Sequence, residues 1–231
     1  MSGSTSRIGE PEAIAAAALR QLRQERLARH AVDAHVAGQD FDVHRQMRAD
    51  LKGQRPCVLW FTGLSGAGKS TLAHLVDARL TASGRHTCVL DGGHLRRGLN
   101  CDLGFTDMDR VENIRRVIEV AHLMADAGLI VLVSLTSPFR ADREMARARI
   151  GEGRFVEVFV DAPLSVVESR DPKGLYRKAR RGEMANFTGV HVPYETPEWP
   201  EIHVETASVT ANAAADQILA YLSTSGALDA R

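Results

Sequence analysis

The feature that most constrains this chain is an eight-residue string, Gly63-Leu-Ser-Gly-Ala-Gly-Lys69-Ser70, which fits G-x-x-x-x-G-K-[ST]. Its glycines let the backbone curl until several amide hydrogens face one anion. The positive end of a following helix points at the same anion. Gly63, Leu64, Ser65, Gly66, Ala67, Gly68, Lys69, Ser70 and Thr71 are therefore the candidate triphosphate-binding residues. Lys69 is positioned to reach the β- and γ-phosphates, and Ser70 to ligate magnesium. The context the string needs is present. The apolar run Cys57-Val-Leu-Trp-Phe predicts a strand before it, and Ser70 to Leu80 predicts a helix after it, ended by Ser83-Gly84.

The rest of the chain repeats this alternation. Thr87 to Leu90, ending at Asp91, Leu129 to Val133, and Phe155 to Val160 read as buried strands, with Ile202 to Glu205 as a fifth. Val111 to Ala127 places Ile114, Val117, Ile118, Ala121 and Met124 at helical spacing. Thr106 and Asp109 resemble a capping box before this helix, and Gly128 stops it. Ala213 to Leu222 closes the chain as a helix. Apolar strands alternating with helices predict an α/β fold: a P-loop NTPase-type parallel β-sheet flanked by helices, buried on both faces. Ligands of such sheets gather beyond the carboxyl ends of the strands.

A disordered tip and a helical N-terminal extension over residues 1–52 are expected to precede a kinase-like domain over 53–231. Residues Pro11 to about Val36 lack Gly and Pro and favour helix, with Gly38 ending it. Lysine plus arginine and aspartate plus glutamate both number 29, which argues against a general nucleic-acid or membrane-surface binder. No apolar run approaches the roughly 20 residues of a membrane span, and Met1 to Arg7 has no signal-like stretch. Three dispersed cysteines, Cys57, Cys88 and Cys101, suit a reducing compartment. A cytoplasmic protein with no nucleic-acid or membrane partner is expected. No N-K-x-D string is present, so a small-molecule kinase is favoured over a switch GTPase.

Further motifs occur in order: Leu103-Gly-Phe105, Asp109-Arg110-Val-Glu-Asn113-Ile-Arg-Arg116, Ser137-Pro-Phe-Arg140, Arg170-Asp-Pro-Lys173-Gly-Leu-Tyr176, Phe187-Thr-Gly189, Pro193-Tyr-Glu195 and Glu205-Thr-Ala207. With the phosphate loop they resemble the adenylyl-sulfate kinases, from about Gly53 to Leu222. That family transfers the γ-phosphoryl of ATP to the 3′-hydroxyl of adenosine 5′-phosphosulfate. The resemblance implies that Arg96, Phe105, Arg110, Asn113, Lys173 and Phe187 hold the adenylyl-sulfate. Two phenylalanines can sandwich an adenine ring, and arginines suit paired anionic oxygens. Lys69, Asp91 and Ser137 are the implied catalytic residues, Ser137 occupying a position phosphorylated in some members. Mg2+ is implied as cofactor with ATP as co-substrate, together with a homodimer and an ATP sulfurylase partner. Arg170 to Glu183 holds six basic residues that read as a lid over both substrates, with Gly174 and Gly182 as hinges.

One segment departs from the family. Where it reads D-G-D-N, this chain reads Asp91-Gly92-Gly93-His94. The second carboxylate is a candidate general base or acceptor in the metal shell, and it is missing. Three readings follow: Asp91 carries the role, with or without His94; the chain acts on a related nucleotide; or it binds nucleotides without turnover.

Overall fold

The five apolar runs pair into one all-parallel sheet, β1 (Val58–Thr62), β2 (Thr87–Asp91), β3 (Ile130–Ser134), β4 (Phe155–Asp161) and β5 (Ile202–Glu205), in the order β2-β3-β1-β4-β5. This arrangement is seen in a computed structural model, which describes residues 43–227. The tip and the helix expected over Pro11 to Val36 lie outside the described residues. The helices are α1 (Arg45–Leu51), α2 (Lys69–Ala82), α3 (Gly92–Leu95), α4 (Asp107–Asp126), α5 (Arg140–Ile150), α6 (Leu164–Arg170), α7 (Leu175–Arg180) and α8 (Ala211–Thr224).

Side chains alternate across the sheet, so the central strands feed two cores, while edge strand β5 buries only Ile202 and Val204. Leu59 and Phe61 face a cluster with Leu72, Val76 and Leu80 of α2 and Ile218 and Leu222 of α8. Val58 and Trp60 face the other cluster, with Ile114, Val117 and Ile118 of α4 and Ala146 and Ile150 of α5. Trp60 and Phe61 are both fully buried, each contributing about 1.5–3 kcal/mol of transfer free energy. Covering both faces explains why the strands read as continuous apolar runs. Strand β1 lies at the centre, between β3 and β4, and its carboxyl end opens into the phosphate loop.

Helix α4 carries the expected capping box, with Thr106 Oγ1 accepting from the Asp109 amide at 3.2 Å and Asp109 Oδ2 accepting from the Thr106 amide at 3.2 Å. It begins at Asp107, four residues before the first apolar position of its stripe. Helix α1 packs near Gly128, where an added Cβ would stand 2.9 Å from the Arg48 carbonyl oxygen. Buried Gln54 joins the same corner, its Nε2 donating to the His86 and Gly128 carbonyls and its Oε1 accepting from the His86 amide. No helix among the described residues is long and apolar enough to cross a membrane.

Candidate active site

The loop after β1 folds as it does because Gly63 cannot be any other residue. Its φ is 144°, and a Cβ there would stand 2.2 Å from the Val160 carbonyl oxygen on β4. Gly68, at φ 102°, forms the left-handed N-cap of α2 and frees the first amides of that helix. Lys69 is buried against its own loop, its Nζ donating to the carbonyls of Gly63 (2.9 Å) and Leu64 (2.7 Å). Burial pushes its ammonium down to about 7; nearby Asp91 opposes that shift and Lys173 adds to it.

Ser70 opens the first turn of α2 and meets the end of β2. Its hydroxyl donates to Asp91 Oδ2 at 2.5 Å and lies 3.1 Å from the Ser134 hydroxyl at the end of β3. Asp91 Oδ1 caps the short helix α3, accepting from the amides of Gly93 (2.9 Å) and His94 (3.4 Å). Burial alone would raise the Asp91 carboxyl. The bonds from Ser70, Gly93 and His94, with the charge of Lys173, outweigh it and hold the group below the usual aspartate range. Gly93 lines the cavity described below, whereas His94 does not; the His94 side chain is 69% exposed, its Nδ1 3.6 Å from Asp91 Oδ1.

A cavity of about 450 Å³ runs from the phosphate loop across the carboxyl ends of the strands. Ser65, Gly66, Gly68, Lys69, Ser70, Thr71 and Asp91 line one part; Arg96, Phe105, Arg110, Asn113, Lys173 and Phe187 line the rest. These segments are far apart in the sequence, and the fold brings them to one space. Gly63, Leu64 and Ala67 are not among the lining residues.

At the far end the Arg96 guanidinium lies over the Phe105 ring at 4.3 Å and donates to the carbonyls of Leu103 (3.1 Å) and Gly104 (2.8 Å). Phe105 is half-exposed. Arg110 donates to the Asn186 carbonyl and to that of Phe105 (3.3 Å), tying α4 to the segment that carries Phe187. Phe187 is buried, edge-on to Tyr176 at 4.9 Å between centroids.

Of the six basic residues between Arg170 and Glu183, only Lys173 lines the cavity. Arg170 donates to the Thr206 carbonyl (2.6 Å), Arg180 pairs with Glu168 (2.5 Å), and Arg177 lies 3.7 Å from Asp171. Gly174 and Gly182, at φ 65° and 74°, bracket α7. Asp171 caps that helix by accepting from the amides of Tyr176 and Arg177, both at 3.1 Å. The Tyr176 hydroxyl then donates to the Ser65 carbonyl at 2.9 Å, joining α7 to the phosphate loop.

Ser137 borders the cavity, but its hydroxyl is buried and occupied. It accepts from Trp60 Nε1 (3.1 Å) and donates to Thr62 Oγ1 (2.9 Å), which lies 2.9 Å from the Tyr194 hydroxyl. Its φ of 37° is left-handed, unusual for a residue with a side chain. The Ser137 carbonyl accepts from buried Arg143 (2.8 Å), which pairs with buried Glu157 at 2.7 Å.

Sequence reasoning missed Asn100 and Asp142. Asn100 is fully buried and bonded to Asn113, and Asp142 is a buried carboxylate in the cavity wall. No local motif marks either one, because their placement depends on which segment folds over them.

A sequence model of the family described as Adenylylsulphate kinase matches residues 55–205. The chain belongs to the adenylylsulphate kinase family. It is 62% identical over 180 residues to a protein of Aeromonas hydrophila named adenylyl-sulfate kinase, covering 78% of this chain and 91% of that one. It is 60% identical over 188 residues to the bifunctional enzyme NodQ of Rhizobium sp. strain N33, covering 81% of this chain. The chain spans 29% of that NodQ's length. Among solved structures, the adenylylsulphate kinase CysC of Mycobacterium tuberculosis, in complex with AMPPNP and APS, superposes with a TM-score of 0.71 at 45% identity. That match covers 74% of this chain and 99% of the other.

Proposed function

We infer that this chain transfers the γ-phosphoryl group of ATP to the 3′-hydroxyl of adenosine 5′-phosphosulfate, yielding ADP and 3′-phosphoadenosine 5′-phosphosulfate. The observation that carries this reading is a single cavity joining the phosphate loop to the Arg96, Phe105, Arg110, Asn113 and Phe187 set. An enzyme that moves phosphoryl between two nucleotides needs both sites in one water-poor space, with the acceptor in line with the leaving group.

The geometry supports the following roles. Loop amides and Lys69 hold the β- and γ-phosphates, which compete with the Gly63 and Leu64 carbonyls for the lysine. Phe105 and Phe187 hold the acceptor's adenine, Arg96 and Arg110 meet its phosphosulfate, and Asn113 bonds its edge. As transfer proceeds, the 3′-oxygen bonds to the γ-phosphorus while the bond to the β,γ-bridging oxygen breaks. The hydroxyl proton leaves toward the Asp91 carboxylate directly or through water. Lys173, beside Lys69 and Asp91, stabilises the charge on the moving group. Ser137 holds the wall of the cavity through Trp60 and Thr62, and so positions the acceptor side.

The donor set suits Mg2+. Ser70 and Asp91 present hard oxygens at one point, and no group of three or more His, Cys, Asp or Glu side chains among the described residues forms a protein cage. A kinase magnesium is held this way, by one or two protein oxygens plus phosphates. Bound there with ATP, the ion would neutralise developing phosphate charge.

We propose a cytoplasmic enzyme acting as a homodimer beside an ATP sulfurylase partner. Association is supported by exposed Met47 and Leu51, four residues apart on α1, with exposed Val43 just ahead of the helix. The domain division at residue 53 belongs to the same proposal. Its deciding experiment measures ADP release from Mg-ATP with adenylyl-sulfate and, separately, with other nucleotides. Release driven by adenylyl-sulfate is expected. Release driven only by another nucleotide, or none despite binding of both ligands, would overturn the reading.

A further inference from the structure

Asn100 sits on the segment between α3 and α4, fully buried, its backbone fixed by bonds to the Leu95 carbonyl (2.9 Å) and from the Leu103 amide (3.2 Å). Its Nδ2 donates to Asn113 Oδ1 at 3.0 Å, while its own Oδ1 is buried without a hydrogen-bond partner. Asn113 is itself buried and lines the cavity. Among the described residues, the one hydrogen bond to the Asn113 amide oxygen comes from Asn100. The Asn113 Nδ2 finds no acceptor among the described residues and remains for whatever occupies the cavity.

Two orientations of this amide pair satisfy the bond between them. In one, Asn100 donates through one N–H and keeps an unpaired oxygen and one unpaired N–H. In the other, both amides turn over, Asn113 donates, and Asn100 keeps an unpaired NH2 with its hydrogens buried. Two orphaned buried N–H groups are the worse outcome, because orphaned buried donors are rarer in folded proteins than under-satisfied carbonyl oxygens. The first orientation therefore wins, and it is the one the structure holds.

We propose that Asn100 is a positioning residue that fixes the polarity of Asn113, so the cavity presents an amide donor and reads a hydrogen-bond acceptor on the nucleotide. Without the lock the Asn113 amide is free to turn, and its oxygen faces the ligand part of the time. This rests on the reading of the cavity as the adenylyl-sulfate site. It assigns Asn100 to selecting an acceptor there rather than to holding ligand itself.

The test uses two variants and direct binding. Asn100→Leu removes both the lock and the unpaired oxygen at similar volume, and is expected to leave thermal stability near wild type. Asn100→Asp, measured at a pH high enough to ionise its buried carboxyl, has no donor and accepts from Asn113 instead, which turns the Asn113 oxygen toward the ligand. At lower pH the neutral acid keeps an O–H donor and the lock. Titration calorimetry is expected to show adenylyl-sulfate binding weakened about tenfold in the first and more in the second, with ATP affinity changed by less than about twofold. A series of adenylyl-sulfate analogues with one acceptor nitrogen replaced by carbon adds the discriminating readout. One analogue should lose affinity for the wild type and none for Asn100→Leu, a pattern that a residue serving only stability does not give. Unchanged adenylyl-sulfate affinity in folded variants, or equal loss for both nucleotides, overturns the lock. Wild-type turnover is measured separately, so failure to phosphorylate adenylyl-sulfate sinks the functional reading while the binding series still decides the lock.

Discussion

The Ser70 hydroxyl donates to Asp91 Oδ2 across 2.5 Å, so the first turn of α2 and the carboxyl end of β2 meet at one pair of oxygens. A charge-only change tests that junction. Asp91→Asn keeps an oxygen for the amides of Gly93 and His94 and a polar group toward Ser70, while the carboxylate charge is lost. The fold should hold, and kcat should fall about 10²-fold or more with a higher magnesium requirement. Asp91→Ala additionally uncaps α3, at about 1 kcal/mol of stability. Magnesium titrations of kcat beside thermal melts separate the two effects; wild-type magnesium dependence in Asp91→Asn would refute the assignment.

Gly93→Asp should raise the rate. The native Asp91 is a weak base, because it already accepts from Ser70, Gly93 and His94 and its carboxyl is held low. Gly93 lines the cavity, and a Cβ there would stand 3.1 Å from Asp91 Oδ1, tight but with a side-chain atom that can shift. A second carboxylate in that place supplies an unengaged base and raises the proton affinity of its neighbour. We expect kcat to rise about tenfold or more. An unchanged kcat at saturating substrates would mean that Asp91 alone suffices.

How much of this was legible in the sequence follows from what buries each segment. Strands covered on both faces, β1, β3 and β4, announce themselves as apolar runs, and the edge strands β2 and β5 are short β-rich segments; all five are readable to within a residue or two. Helix α5 was not, because its sequence RADREMARARI hides its buried face. That face includes Arg143, paired with Glu157 on β4, and apolar periodicity is blind to a buried ion pair. Helix α4 was found four residues short because its first turn is polar. Most of the polar cavity residues are readable as motifs, Asp142 excepted, and the structure adds their common placement. Asn100 gave no signal, since its role arises from a contact with Asn113 made only in the folded chain.

Gly63→Ala should be among the most damaging small substitutions in the chain. The new Cβ would meet the Val160 carbonyl oxygen at 2.2 Å, a fixed backbone atom on the neighbouring strand, and φ there is 144°. Relief requires moving the loop off β4, at about 3 kcal/mol or more. A melt of the purified variant should show a large drop in Tm with loss of ATP binding. Gly84→Ala is the control: its added Cβ meets nothing within 4 Å, leaving only the strain of φ 81°.

Ser137→Ala separates positioning from chemistry. Its hydroxyl links Trp60 Nε1 to Thr62 Oγ1 in a buried chain, so removal leaves the indole N–H unpaired. The cost is about 1–3 kcal/mol of stability. If the hydroxyl only braces the cavity wall, kcat should stay within about tenfold of wild type. A loss of several orders of magnitude, with the fold intact at the assay temperature, would instead place Ser137 in the transfer step.

Lys69 predicts a pH signature of both stability and binding. Its ammonium titrates near 10.5 when exposed and is pushed down to about 7 in the fold, where burial opposes the charge. Below about 7 both folded and unfolded chains hold the proton, and the unfavourable burial of charge is fully present. Between about 7 and 10.5 the unfolded chain keeps a proton that the fold has released, so the contribution of Lys69 to stability rises with pH across this window and then levels. ATP reverses the preference, since its phosphates favour the ammonium. Binding above about pH 7 must therefore take up a proton, and ATP affinity should fall toward tenfold per pH unit. Calorimetry in two buffers of different ionisation enthalpy should show uptake growing with pH and approaching one proton by about pH 9. Lys69→Met, which has no titrating group, should bind ATP weakly and without this uptake; the same uptake in that variant would assign the proton to another group.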